Sequence, residues 1–211
     1  MKGNTKTRTL KCTRRTQQER RTRTRSRLLD ATIEALIELG YANLTTPDIC
    51  RRAGMSQGAL FKHFPTKSDL IAAAIEDLYQ QILETYRQRM DALPDGEDPI
   101  SGGLQALWQA YQDPKVIASL DLHTAARTDP QLHAVLQPLV AQHWENIMNL
   151  AKVLYPQFSS KNGFLLLVDM VLMAMMGSLV ENLISGKSSI HEERLAFLET
   201  LVRHYLSHGM L

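Results

Sequence analysis

Apolar residues recur along this chain at intervals of three and four, and no persuasive run of alternating β-branched residues interrupts them. That period gives each segment one oily helical face, so the pattern predicts an all-α fold. Leu29, Ile33 and Leu36 mark the inner face of a first helix ending near Gly40, with Tyr41-Ala42-Asn43 as the connection. Ile71, Ile75, Leu78 and Ile82 form the stripe of a longer helix, and Thr66 with Asp69 supplies a capping-box-like start to it. The turn-rich, acidic segment from Leu93 to Pro99 reads as a loop. Beyond it, helices are expected at about 100 to 112, 114 to 127, 130 to 154, 161 to 185 and 191 to 207, broken at Asp113-Pro114, Thr128-Asp129-Pro130, Tyr155-Pro156 and Ser185-Gly186. Pro138 should kink or split the third of these.

Residues 45–64 carry the densest local signals. Thr46 offers a capping hydroxyl, Pro47 suits the first helical position, and Asp48 puts negative charge in the first turn. Gly54 suits a left-handed helix end, and Ser56 can cap a second helix two residues later. Ile49, Ala53, Leu60 and Phe64 are spaced to pack the two helices together, which turns Gln57, Gly58, Ala59, Lys62 and His63 outward. Two short helices joined by such a turn read as a helix-turn-helix, the alternative being a helical hairpin with a solvated polar face. On a duplex, Gln57 would bond a base edge or a phosphate, Lys62 would neutralise phosphate charge, and Gly58 has no side chain to hold the helix start away. Lys67, just beyond, lies near enough to reach a phosphate.

Charge distribution changes the picture further. Residues 1–27 hold eleven Lys or Arg against the single acid Glu19, whereas residues 28–211 hold 13 basic and 21 acidic residues, a formal net of −8. The overall +2 conceals this polarity. An arm of this composition buries no core, so residues 1–22 are expected to stay disordered until they meet a polyanion, tracking phosphates or entering the minor groove. For residues 1–15 a solubilising tail is the competing reading.

With 211 residues, 44% of them hydrophobic, the chain has material for one small and one larger helical domain. The basic N-terminus lacks the apolar stretch of a signal peptide. Residues 164–180 approach a membrane span, but Asp169 sits inside it, so a buried or interface helix is expected and no membrane partner. Cys12 and Cys50 form no disulfide framework, which fits a cytoplasmic protein.

In order along the chain, Leu28-Leu29-Asp30-Ala31, Gly40-Tyr41, Thr45-Thr46, Ala53-Gly54, Ser56, and Phe61, His63, Phe64, Pro65 and Lys67 resemble the DNA-binding domain of the TetR family of transcriptional regulators. The resemblance implies a three-helix DNA-binding domain over 23–85 and a C-terminal ligand-binding and dimerisation domain over 86–211. It also implies a homodimer that reads a palindromic double-stranded operator and is released by a small-molecule effector, most members being repressors. Carried over residue by residue, it places Thr46, Ser56, Gln57, Gly58, Ala59, Lys62, His63 and Lys67 against DNA, and Arg23, Arg25, Thr45 and Phe61 join that candidate set. Phe61 departs from the family, which commonly has tyrosine there, so a phenol contact to phosphate is lost while packing on sugar and thymine methyl groups remains.

The C-terminal half resembles the family in helical layout and in Ala125-Ala126-Arg127-Thr128-Asp129-Pro130. Its last two apolar helices, with Leu165, Leu166, Leu172, Met173, Met176, Leu179, Val180 and Leu183 on one and Leu195, Phe197, Leu198, Leu201, Val202 and Tyr205 on the other, would by that resemblance build a four-helix dimer interface. Two recognition helices would then stand about 34 to 36 Å apart, one turn of DNA. Core packing within one subunit is the alternative for any single residue. Trp108, Tyr111, His123, Arg127, His143, Trp144 and Met173 combine aromatic bulk, soft sulfur and polar tips, and are the candidate ligand contacts.

No catalytic residue set, metal site or cofactor is expected. His204 and His208 have the spacing of a metal pair without a third ligand, and no glycine-rich phosphate loop or nucleophile motif is present. A non-specific DNA binder acting through its arm, and an activator rather than a repressor, remain as alternative functions.

Overall fold

The computed structural model describes residues 17–186 and 190–208. Nine α-helices and one short 3-10 turn, Tyr41–Asn43, make up the described secondary structure. The first four are α1 (Gln17–Leu39), α2 (Thr46–Ala53), α3 (Gln57–His63) and α4 (Lys67–Asp91). They are followed by α5 (Pro99–Tyr111), α6 (Pro114–Ala126), α7 (Pro130–Leu154), α8 (Phe164–Ser185) and α9 (Ile190–His208).

Local chemistry explains the boundaries. The Asp98, Asp113 and Asp129 carboxylates cap α5, α6 and α7, each followed at once by a proline whose missing N–H costs nothing in a first turn. Thr66 and Asp69 close the anticipated capping box at the head of α4. One detail differs from expectation. The basic helix α1 begins at Gln17, so residues 17–22, expected in the disordered arm, form its opening turns, while residues 1–16 lie outside the described residues. Pro138 lies within an unbroken α7, so of the two outcomes expected of it the split does not occur.

Helix α1 packs on α2, α4 and α6, and α4 packs on α5, α6 and α7. One buried cluster runs from Leu28, Leu36, Ile49, Leu60 and Leu70 through Ile75 and Leu78 into Ala118, Leu122 and Ala126 of α6 and Leu132 and Leu136 of α7. The core of the first three helices therefore continues into the C-terminal half, and residue 85 falls inside a single helix, α4. A second cluster joins Leu104, Ala151, Phe164, Val171, Met175, Val202 and Leu206.

Helix α8 has two apolar faces. Leu172 and Leu179, with Val171 and Met175, are buried, while Leu166, Met170, Met173, Val180 and Ile184 are exposed, Ile184 at 90%. The exposed set, with Gly177 on the same line, recurs at intervals of three and four and makes a continuous stripe. Phe197 and Leu201 of α9 are also exposed. Among the described residues α8 alone is long and apolar enough to cross a bilayer.

Candidate nucleic-acid interface and effector cavity

Helices α2 and α3 form the helix-turn-helix. The Thr45 hydroxyl caps α2, accepting the Asp48 N–H at 3.3 Å, so Thr46 occupies the first helical position rather than the cap expected for it. The shift follows from backbone geometry, since Thr45 is extended and Thr46 already helical. Gly54 ends α2 in the left-handed region at φ 61°, and the Ser56 hydroxyl caps α3 by accepting the Ala59 N–H at 3.2 Å. Ile49, Ala53, Leu60 and Phe64 are buried.

The opposite surface is largely open. Gln57, Gly58 and Lys62 are exposed, Ala59 and His63 are half-buried, and Phe61 is 41% exposed. Flanking groups fix the surface in place. The Arg27 guanidinium donates to the Ala53 carbonyl, Arg25 lies over the Phe64 ring at 5.2 Å, and Arg52 pairs with Glu38 at 2.6 Å. That pairing holds the Glu38 carboxyl below the usual carboxylate range. Arg23 is exposed on α1. Lys67 donates to the Leu44 carbonyl at 2.8 Å, which anchors its ammonium beside Thr45 with protons left for a phosphate.

Gly58 provides a test of this surface. A β-carbon there would meet nothing closer than the Ser56 hydroxyl at 4.0 Å, so packing does not demand glycine. Gly58→Ala should raise thermal stability by about 0.5 to 1 kcal/mol through helix propensity, while weakening operator binding if the backbone must approach the duplex closely. Melting and DNA titration on the same preparation check both signs, and unchanged DNA affinity would refute the close approach.

Helices α4 to α9 enclose a cavity of about 440 Å³, within the usual size of small-molecule sites. Its wall includes Ile82 and Tyr86 of α4, Leu104 and Tyr111 of α5, Val116, Ser119 and His123 of α6, Val140, His143 and Trp144 of α7, and Asp169, Leu172, Met173 and Met176 of α8. Of the candidates singled out in the sequence, Tyr111, His123, His143, Trp144 and Met173 line this space. Trp108 packs instead against the second core cluster, and Arg127 is exposed at the end of α6, without an ion pair among the described residues. Tyr86, Tyr155, Phe158 and Asp169 were not anticipated as wall residues. Asp169 alone gave a signal, as a carboxylate inside an otherwise apolar helix.

Tyr79 ties the cavity to α4. Its ring stacks on His143 with centroids 4.2 Å apart, and its hydroxyl lies 3.4 Å from Nε2 of His123. Burial, with His123 close by, pushes the His143 pKa down to about 4 from an ordinary 6.5. The unfolded chain thus binds the proton more readily than the folded one. Stability is complete above about pH 6.5 and is lost as pH falls towards 4. Between about pH 7 and about pH 5, His143→Phe, which preserves a ring for the Tyr79 stack, should remove about 1 kcal/mol of this loss. Melting curves across that range check it, and a parallel slope in the variant would contradict it.

Helix α6 has a second role in this geometry. While Val116, Ser119 and His123 face the cavity, Ala118, Leu122 and Ala126 lie in the core shared with α1 to α4. The Asp121 carboxylate accepts the Tyr41 N–H at 2.8 Å, and the Tyr41 hydroxyl donates to Asp129 at 3.0 Å. Burial first, then this carboxylate, raises the Tyr41 phenol to about 12.

Comparison with known proteins agrees with this layout. Residues 28–74 match the family model of the bacterial regulatory proteins of the tetR family. The chain is 32% identical over 190 residues to an uncharacterised HTH-type transcriptional regulator of Mycobacterium tuberculosis, covering 89% of this chain and 97% of that one. It is 39% identical over 130 residues to the HTH-type transcriptional regulator CymR of Pseudomonas putida, covering 62% and 64% respectively. The crystal structure of a transcriptional regulator from Rhodococcus superposes with a TM-score of 0.66 at 18% identity, over 89% of this chain and 98% of that one.

Proposed function

Because this chain belongs to the TetR family of DNA-binding transcriptional regulators, we propose that it represses its targets as a homodimer bound to a palindromic operator in the cytoplasm, and leaves the DNA when a small molecule fills the cavity. One observation carries the reading: the helix with the exposed Gln57, Gly58 and Lys62 surface shares a continuous core with α6, whose other face lines the 440 Å³ cavity. Thr45, Thr46, Ser56, Ala59, Phe61, His63, Lys67, Arg23 and Arg25 complete the proposed DNA contact set, and Tyr111, His123, His143, Trp144 and Met173 the proposed effector contacts.

No chemistry is needed for release. An effector that prefers a cavity shape incompatible with the DNA-bound spacing shifts α4 and α6 together, through the Tyr79 stack and the Asp121 to Tyr41 bond, with a coupling of ~1 to 3 kcal/mol. The exposed α8 stripe and Phe197 and Leu201 of α9 support the dimer, because a self-complementary apolar face of this kind is what an isologous interface requires.

Met170→Glu puts a charge in the middle of that stripe. Sedimentation velocity should find the wild type a dimer and the variant a monomer, and the variant should lose most of its operator affinity because the two half-sites no longer act together. A variant that remains dimeric would place the interface elsewhere.

A further inference from the structure

The chemistry of the cavity wall narrows what it can hold, given the reading of this cavity as the effector site. Among the described residues, the wall includes the acidic residue Asp169 and no lysine or arginine. Asp169 is half-buried on α8 and makes no hydrogen bond or ion pair among those residues. A half-buried carboxylate with no partner beside apolar and aromatic side chains leaves room for a ligand that supplies the opposite charge. Tyr86, Tyr111, Tyr155, Phe158 and Phe164 line the same space, and aromatic faces attract cations. Desolvation lowers the pKa of His123 and pushes that of His143 down to about 4, so both disfavour the charge that would pair with an anion.

We propose that the cavity selects an organic cation, an ammonium-type group on an aromatic or alicyclic body, with Asp169 as its counter-ion. The hydrocarbon body fills the wall between α5 and α7, and the charged end lies towards α8. A carboxylate ligand of the same shape meets Asp169 as a like charge and is rejected.

Three probes sharing one hydrocarbon test this: para-tert-butylbenzylamine, cationic at neutral pH; para-tert-butylbenzyl alcohol, neutral; and para-tert-butylbenzoate, anionic. Calorimetric titration of the full-length protein should rank them amine, alcohol, benzoate, with the amine about tenfold or more tighter than the alcohol. Asp169→Asn should erase the amine's advantage and leave the alcohol unchanged. Ala110→Phe, which fills the cavity from a buried position on its wall, should weaken all probes that bind.

Equal binding of amine and alcohol, a preference for benzoate, or an amine advantage that survives Asp169→Asn would overturn the counter-ion assignment while the cavity stands. Binding that Ala110→Phe leaves untouched would remove the cavity itself as the site, and with it the reading on which the proposal rests. Failure of all three probes to bind would also overturn the proposal, since an accessible cavity of this volume and charge has no reason to refuse the amine.

Discussion

Leu122→Ala lowers the stability of this protein by about 2 to 5 kcal/mol, the range for a leucine lost from a closed core. Leu122 is 0% exposed and stands where α6 enters the cluster formed by α1 to α4, so little surrounding structure can collapse into the space. The loss should also be structural in a second sense. α6 is a wall of the cavity and part of the DNA-binding core at once, so loosening Leu122 weakens the link between effector and operator. Denaturant unfolding measures the first effect. A loss well below about 1 kcal/mol would mean that α6 is not held in that core as described.

Gln57→Ala and Lys62→Ala weaken operator binding and leave folding and dimerisation intact. Both side chains are exposed and make no hydrogen bond or ion pair among the described residues, so their removal costs the fold nothing. On DNA the two substitutions should differ. Gln57, at the first turn of α3, is proposed to contact a base edge or a phosphate, and its loss should cost about 1 to 3 kcal/mol per half-site when the contact is to a base, relaxing preference at one operator position. Lys62 is proposed to neutralise a phosphate, so its loss should lower affinity on every sequence and reduce the salt dependence by about one counterion per half-site. Fluorescence titration at several salt concentrations separates these outcomes. Unaltered operator affinity in both variants would remove α3 as the reading helix, and a monomeric variant would break the separation between DNA surface and dimer surface.

The helices and the helix-turn-helix were legible because their signals are local. Gly54, Ser56 and the Thr66 and Asp69 pair act within a turn of themselves, and a chain shows them without any knowledge of its neighbours. The cap of α2 was misplaced by one residue because Thr45 and Thr46 are chemically equivalent, and the backbone conformation at Thr45 decides between them. The start of α1 was missed because arginine and threonine runs carry no apolar period, although arginine is a good helix former and the helix extends from a buried segment at Leu28.

The cavity was harder to read because it is assembled from six helices. Tyr86 and Tyr155 are 69 residues apart, yet their hydroxyls lie 3.4 Å from each other. Periodicity marks both as helical or loop aromatics and cannot bring them together. The α8 stripe shows the same limit, for a helix apolar on two faces has no single period to separate the buried Leu172 and Leu179 from the exposed Leu166, Met173 and Val180. Arg127 looked like a ligand partner in one dimension, and it stands exposed just past the end of α6, outside the cavity wall.

Selection of the purified protein against a random duplex library, at near-physiological salt and read by sequencing, tests the central claim most directly. A dimer that presents two α3 helices enriches one palindrome whose half-sites lie about one helical turn, or a multiple of it, apart. Binding without enrichment, lost uniformly as salt rises, would contradict the operator reading and leave the basic N-terminal segment as the source of affinity.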